Sequence, residues 1–174
     1  AMTHLTVELG LQSASDATAA RINRGHDFAA FCAGYHALRR AVPTAEICIH
    51  IINGLPGETC ADMLRTADAV AVLHPDQIKI HSLHVLRGTA LAAAYARGAY
   101  APISLEDYIA VTAKQLTYLP PDMVVARVTG DGDRNALLAP AWSLRKREVI
   151  AALDRYLYMH GLWQGCAAER FCSH

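Results

Sequence analysis

The chain has 174 residues, 53% of them hydrophobic, with sixteen lysines and arginines against sixteen aspartates and glutamates. That length holds one domain with a real core and excludes a multidomain machine. Zero net charge excludes a uniform basic field, so a nucleic acid or an anionic membrane has to be met by a local patch. No uncharged apolar run approaches a membrane span, and no membrane partner is expected. Cys32, Cys48, Cys60, Cys166 and Cys172 are odd in number and irregularly spaced, which argues against a disulfide framework and for a cytoplasmic location.

In chain order, Ala1-Met2 reads as an expression scar, and Thr6 to Leu11 predicts a buried strand in which Val7, Leu9 and Leu11 alternate with Glu8 and Gly10. Ser15 and Asp16 start a short helix to about Asn23. Asp27 caps a second helix that ends at Ala41, before Pro43. Glu46 to Ile52 predicts a second strand with Ile47, Ile49 and Ile51 on one face; the turn Asn53 to Glu58 leads into a helix through about Leu73, and a third strand spans Gln77 to Leu83. This repetition of strand, loop and helix makes a parallel sheet through right-handed crossovers. Beyond His84 come a short helix over Gly88 to Arg97, a longer one capped by Ser104 and stopped by Pro120-Pro121, a strand-like Met123 to Val128, a glycine loop at Thr129 to Gly132, and a helix from Ser143 to about Met159.

Several of these loops can carry chemistry. Gly54-Leu55-Pro56-Gly57-Glu58 follows a strand and opens a helix, so its amides can meet a ligand at the carboxyl edge of the sheet. It is equally a tight turn with Pro56 near the first helical position and Glu58 offsetting the dipole. Leu86-Arg87-Gly88-Thr89 has the same address after the third strand. His81 and His84 lack a third ligand at suitable spacing, which leaves them as pocket-lining polar residues and predicts no metal site. Gln12 offers a donor and an acceptor, and Arg24 a planar fork for a carboxylate; together they can hold a zwitterionic amino-acid ligand, or Arg24 simply balances a helix dipole.

Three segments, VELGLQSASDATAARINRGHD from Val7, HIINGLPGET from His50 and IKIHSLHVLRGT from Ile78, occur in an order and spacing that resemble the last strands of a radical SAM barrel. With SLEDYI, QLTYLPPDMVVARVTGDG and LLAPAWSLRKREVI, the chain resembles the C-terminal half of the YhcC-like branch of that superfamily, related to the Elongator catalytic subunit. The resemblance implies an α/β fold: a partial, half TIM-like barrel of three parallel strands over residues 3–100, a C-terminal α/β extension over 101–165, and a flexible tail over 166–174. It also implies S-adenosylmethionine as cofactor, approached by Gln12 and Arg24, with His50 toward the ribose and Gly54, Leu83 and Val85 around the adenine. Some relatives carry Asp where His50 stands, and Asn53 occupies a position where a bulky apolar residue is common. The [4Fe-4S] cluster of the full-length protein needs three cysteine thiolates, and their motif resembles nothing in this chain; in the family it lies before the segment corresponding to Thr3.

The resemblance further implies an enzyme that modifies a tRNA wobble uridine through a 5′-deoxyadenosyl radical, with His81, His84 and Arg87 facing the substrate and the chain alone inactive. Two other readings stand beside it: a non-enzymatic half-barrel interaction module, and a metal-dependent hydrolase using His81 and His84. Half a barrel also implies partners. The expected ones are the missing N-terminal half or, for the isolated chain, a second copy covering an unpaired first strand and an apolar inner face.

Overall fold

In chain order the computed structural model, which describes residues 5–130 and 132–167, runs β1 (Thr6–Gln12), α1 (Asp16–Arg21), α2 (Phe28–Ala41), β2 (Glu46–Asn53), α3 (Cys60–Leu73), β3 (Gln77–Ser82), β4 (Val85–Leu86), α4 (Ala90–Ala96), α5 (Leu105–Tyr118), β5 (Val124–Arg127), β6 (Leu137–Ala139) and α6 (Lys146–His160). Side-chain oxygens start five of the helices. Ser15, Asp27, Thr59, Thr89 and Ser104 each accept a hydrogen bond from a first-turn amide, and Thr59 forms a reciprocal capping box with Asp62. Because that box satisfies the start of α3, Pro56 lies ahead of the helix rather than at its first position.

The main sheet has the order β1-β2-β3-β5, parallel throughout; β4 and β6 form a separate antiparallel pair. Ile47, Ile49 and Ile51 of β2 and Ile78 and Ile80 of β3 are fully buried on one face. They pack in one cluster with Phe31 and Tyr35 of α2, Val70 of α3, Tyr108 and Leu116 of α5, and Val149 and Leu153 of α6. Each such isoleucine contributes roughly 1.5–3 kcal/mol of burial, so the helix-covered face carries most of the stability. Tyr108, enclosed in this core, donates to the carbonyls of Ile80 at 3.3 Å and Val128 at 3.0 Å and so ties the ends of β3 and β5 together.

The three expected parallel strands are joined by a fourth, β5 from the expected extension, which pairs in parallel with β3. From the same extension α5 packs against α3. One expectation changes. Residues Ala141–Leu144 form a 3-10 turn and α6 begins at Lys146; the Ser143 hydroxyl donates to the Pro140 carbonyl instead of capping the helix. Of the expected tail, Ala167 donates its amide to the Thr117 carbonyl at 2.9 Å, and 168–174 lie outside the described residues.

The second face of the sheet is polar where an apolar one was expected. Alternation along the strands places Glu8, Gly10, Cys48, His50, Lys79 and His81 opposite the isoleucines. At one level Gly10, His50, Lys79 and Arg127 are neighbours across all four strands. The face that would line a barrel lumen is therefore suited to a polar ligand.

Candidate functional site

The carboxyl ends of β1 and β3, with the loop after β2, surround a cavity of about 560 Å³. Gln12 and Asn23 give it polar edges, and Ile52, Leu55, Leu83, Leu91 and Ala94 give it apolar walls. That volume and mixed lining fall in the range of small-molecule sites. Gln12 reaches it from an unusual backbone: a register shift follows Gly10, and Gln12 takes a φ of 69°, a strained region for a non-glycine residue.

Gly10 explains how Gln12 and Arg24 meet. A Cβ at this glycine would lie 2.5 Å from Gln12 Nε2 and 3.3 Å from a terminal nitrogen of Arg24, so both side chains occupy the space that a residue other than glycine would fill. The Arg24 guanidinium donates to the Gly10 carbonyl, while its Nε is buried without a hydrogen-bond partner among the described residues. The amide and the fork expected to act together do stand together.

Beside them runs the lumenal polar stripe. One Glu8 oxygen accepts from Lys79 Nζ at 2.6 Å, and the other stands 2.9 Å from His50 Nε2 without the alignment of a hydrogen bond. The bond from Lys79 is the main cause holding the Glu8 carboxyl below its ordinary range. His50 stacks on His81 with ring centroids 5.4 Å apart. Burial lowers the pKa of both imidazoles, that of His81 to about 4, and the Nε2 atoms of both are buried without hydrogen-bond partners among the described residues. At neutral pH the stripe thus offers two uncharged rings, His50 beside the Glu8 carboxylate and His81 with an unpartnered nitrogen.

Because His81 has a lower pKa folded than its ordinary 6.5, the unfolded chain binds more protons between that value and about 4. Stability is expected to be full above pH 6.5 and to fall through this window. His81→Gln should flatten the decline; urea unfolding across the window checks it, and an unchanged slope in the variant would count against the placement of His81.

The other expected site residues disperse. Gly54 turns its carbonyl to the Tyr100 hydroxyl at 2.8 Å and its α-carbon toward Ile103, in a second concavity behind the loop. Val85 is fully buried in the small antiparallel sheet. His84 sits beneath Gly130 and Gly132, where a Cβ on either would come within 2.6 Å of its ring; Arg87 is exposed, its amide bonded to the Ala136 carbonyl. Glu58 accepts from the Ser13 hydroxyl, and Arg21 donates to the Pro56 carbonyl at 2.8 Å, so this loop is clamped by the segment after β1. Glu8, Lys79 and Arg127 went unnoticed in the sequence, although the alternation of polar with aliphatic residues in each strand marks their face.

Among the described residues no group of three or more His, Cys, Asp or Glu stands ready to hold a metal ion. Cys32, Cys48, Cys60 and Cys166 are free and lie on α2, β2, α3 and the segment after α6; Cys172 lies outside the described residues. Burial pushes the Cys48 thiol up to about 11, away from thiolate chemistry. The described cysteines do not form the three-thiolate set of a [4Fe-4S] cluster, whereas the cavity beside Gln12 has the volume and mixed lining of a small-molecule site.

Residues 75–159 match the Radical_SAM C-terminal domain. The chain is 44% identical over 168 residues to the uncharacterized protein YtqA of Bacillus subtilis and 40% identical over 164 residues to protein YhcC of Escherichia coli, covering 97% and 94% of this chain and 52% of each relative. It thus spans about half the length of the curated relatives it matches. A shorter stretch of 72 residues, 41% of this chain and 16% of the relative, is 40% identical to a tRNA-2-methylthio-N(6)-dimethylallyladenosine synthase of Desulfosudis oleivorans. Among solved structures, the archaeal Methanocaldococcus infernus Elp3 with an N-terminal deletion superposes with a TM-score of 0.79 over 92% of this chain and 37% of that one, at 20% identity, and shares the fold. The described residues include no helix long and apolar enough to cross a membrane. The chain is thus similar to YhcC-like radical SAM proteins, consistent with the C-terminal half of one, and its residues 75–159 match the Radical_SAM C-terminal domain.

Proposed function

We propose that this chain supplies the nucleoside wall of an S-adenosylmethionine site, and the substrate side of a radical SAM enzyme acting on a tRNA base, a wobble uridine by its resemblance to the Elongator branch. The observation that carries this reading is the cavity at the carboxyl edge of the sheet, flanked by the Gln12–Arg24 pair. When bound, S-adenosylmethionine supplies a sulfonium whose reductive cleavage begins radical chemistry. The chain's own residues bind and orient. Ile52, Leu83 and Leu91 shield a flat heterocycle from water, Gln12 hydrogen-bonds its polar edge, and the Arg24 guanidinium, held by the Gly10 carbonyl beside Gln12, draws a carboxylate by its charge. His50 and His81, uncharged at neutral pH, offer ring nitrogens to a substrate heteroatom.

With its described cysteines dispersed, the chain alone is expected to be inactive. The unpaired edge of β1 is where the remainder of a barrel would add its strand, and where a second copy would pair in its absence. The tRNA part of the reading draws support from the name of the Desulfosudis relative. Calorimetric titration with S-adenosylmethionine tests the cofactor part. Weak binding is expected, since much of the site's preorganisation would come from outside this chain. Ala94→Trp, which fills the cavity, is expected to abolish it; undiminished binding by a folded Ala94→Trp protein would refute the assignment.

A further inference from the structure

We propose that Arg134, Arg145, Lys146 and Arg147 form a docking surface for the phosphate backbone of an RNA, an inference that rests on the tRNA reading above and gives that substrate its seat. The four side chains come from two segments, the turn before β6 and the start of α6, and line one concavity of about 460 Å³. In a chain whose charges cancel over its length, this convergence is local. Glu148 shares the lining and pairs with Arg145 at 2.8 Å, and Asp133 accepts the Asn135 amide within its own turn, so cations outnumber the one carboxylate of the lining four to one. Three of the four cations are arginines, whose planar fork matches phosphate oxygens in pairs.

Folding does not call for these charges. Lys146 and Arg147 share the first turn of α6 with Glu148, where the helix dipole favours anions, while the first turns of α1, α3 and α5 carry Asp or Glu and no basic residue. Location ties the surface to the site. Gly130 and Gly132 lie against His84, just past the end of β3; Arg134 follows two residues later, and Lys146 is close enough to His84 to help lower its pKa. A backbone phosphate held at this rim leaves an unstacked base beside the lumenal mouth. An anionic membrane fits less well, because a membrane-binding helix sets a broad apolar face along its basic residues. On α6 only Ile150 is exposed near the cations; Tyr158 and Met159 stand at the far end, about 18 Å along the axis.

The test is fluorescence anisotropy of an unmodified tRNA transcript with the full chain over a salt series. Affinity is expected to fall steeply with salt. Arg134→Glu/Arg147→Glu should weaken binding at least tenfold and reduce the log–log salt slope by about two, one unit per lost phosphate contact. Arg155→Glu, exposed on the same helix away from the concavity, should change affinity less than twofold. If the charge reversals unfold the chain by circular dichroism, Arg134→Ala/Arg147→Ala replaces them, with a threefold or greater loss expected. Equal losses for Arg155→Glu, binding unaffected by either pair, or no RNA binding at low salt would each overturn the surface. So would binding to phosphatidylglycerol vesicles in place of RNA. The cofactor reading is scored separately by the S-adenosylmethionine titration, and RNA binding that ignores the patch would leave the tRNA reading standing.

Discussion

Gln115→Leu is expected to cost roughly 3 kcal/mol of stability and to lower the melting temperature by about 6–12 °C. Asn53, at the end of β2, and Gln115, in the middle of α5, are both essentially excluded from solvent. Their side-chain amides face each other: Asn53 donates to Gln115 Oε1 at 2.7 Å, and Gln115 donates back to Asn53 Oδ1 at 2.9 Å and to the Met63 carbonyl at 2.9 Å. Asn53 also reaches the Thr112 hydroxyl at 3.3 Å. This network welds the strand that feeds the site to the helix layer, and it accounts for a polar residue where a bulky apolar one is usual. Leucine at 115 leaves the Asn53 amide buried with its main partner gone, and that orphaned group dominates the loss. Asn53→Leu/Gln115→Leu should therefore lose less than the sum of the single variants, because no amide is stranded. Urea and thermal unfolding measure both. A Gln115→Leu protein within 0.5 kcal/mol of wild type, the spread ordinary for a surface substitution, would show the pair to be dispensable.

Gly10→Ala is expected to leave stability within about 1 kcal/mol of wild type and to lower affinity for S-adenosylmethionine at least tenfold. The added Cβ would meet Gln12 Nε2 at 2.5 Å and the Arg24 fork at 3.3 Å. Both are the far ends of flexible side chains, so they move aside cheaply and the strand remains. Moved aside, the amide and the fork no longer converge, and a ligand contacting both loses them together. Calorimetry against thermal unfolding separates the outcomes. Loss of binding together with collapse of the fold would assign Gly10 a structural role alone; retained binding would detach the Gln12–Arg24 pair from the cofactor.

What the sequence made legible was local. Ser15, Asp27 and Ser104 announce their helices because a cap acts within three residues, and the isoleucines of β2 show their buried face because alternation is a property of one strand. Long-range pairings were hidden. Nothing near Val125 says that it will lie beside Ile78, 47 residues earlier, and nothing near Asn53 names Gln115, 62 residues later. The polarity of the lumenal face was written in Glu8, His50, Lys79 and His81, but it shows only once three strands are set in register. At the site, Gln12 and Arg24 were readable as a pair from their chemistry, whereas the scattering of Gly54, Val85 and Arg87 depended on where loops turn, which hydrophobic periodicity does not encode. The start of α6 was misplaced because Ser143 has cap chemistry yet spends its hydroxyl on the Pro140 carbonyl.

The most direct measurement of the central claim is chemical-shift mapping of the isotopically labelled chain during titration with S-adenosylmethionine. The account predicts that perturbations concentrate on Gln12, Ile22, Ile52, Leu83, Leu91 and Ala94 around the cavity, extend to Arg24, and vanish in Ala94→Trp. No perturbation up to millimolar cofactor, or perturbations centred elsewhere on the surface and indifferent to Ala94→Trp, would contradict it.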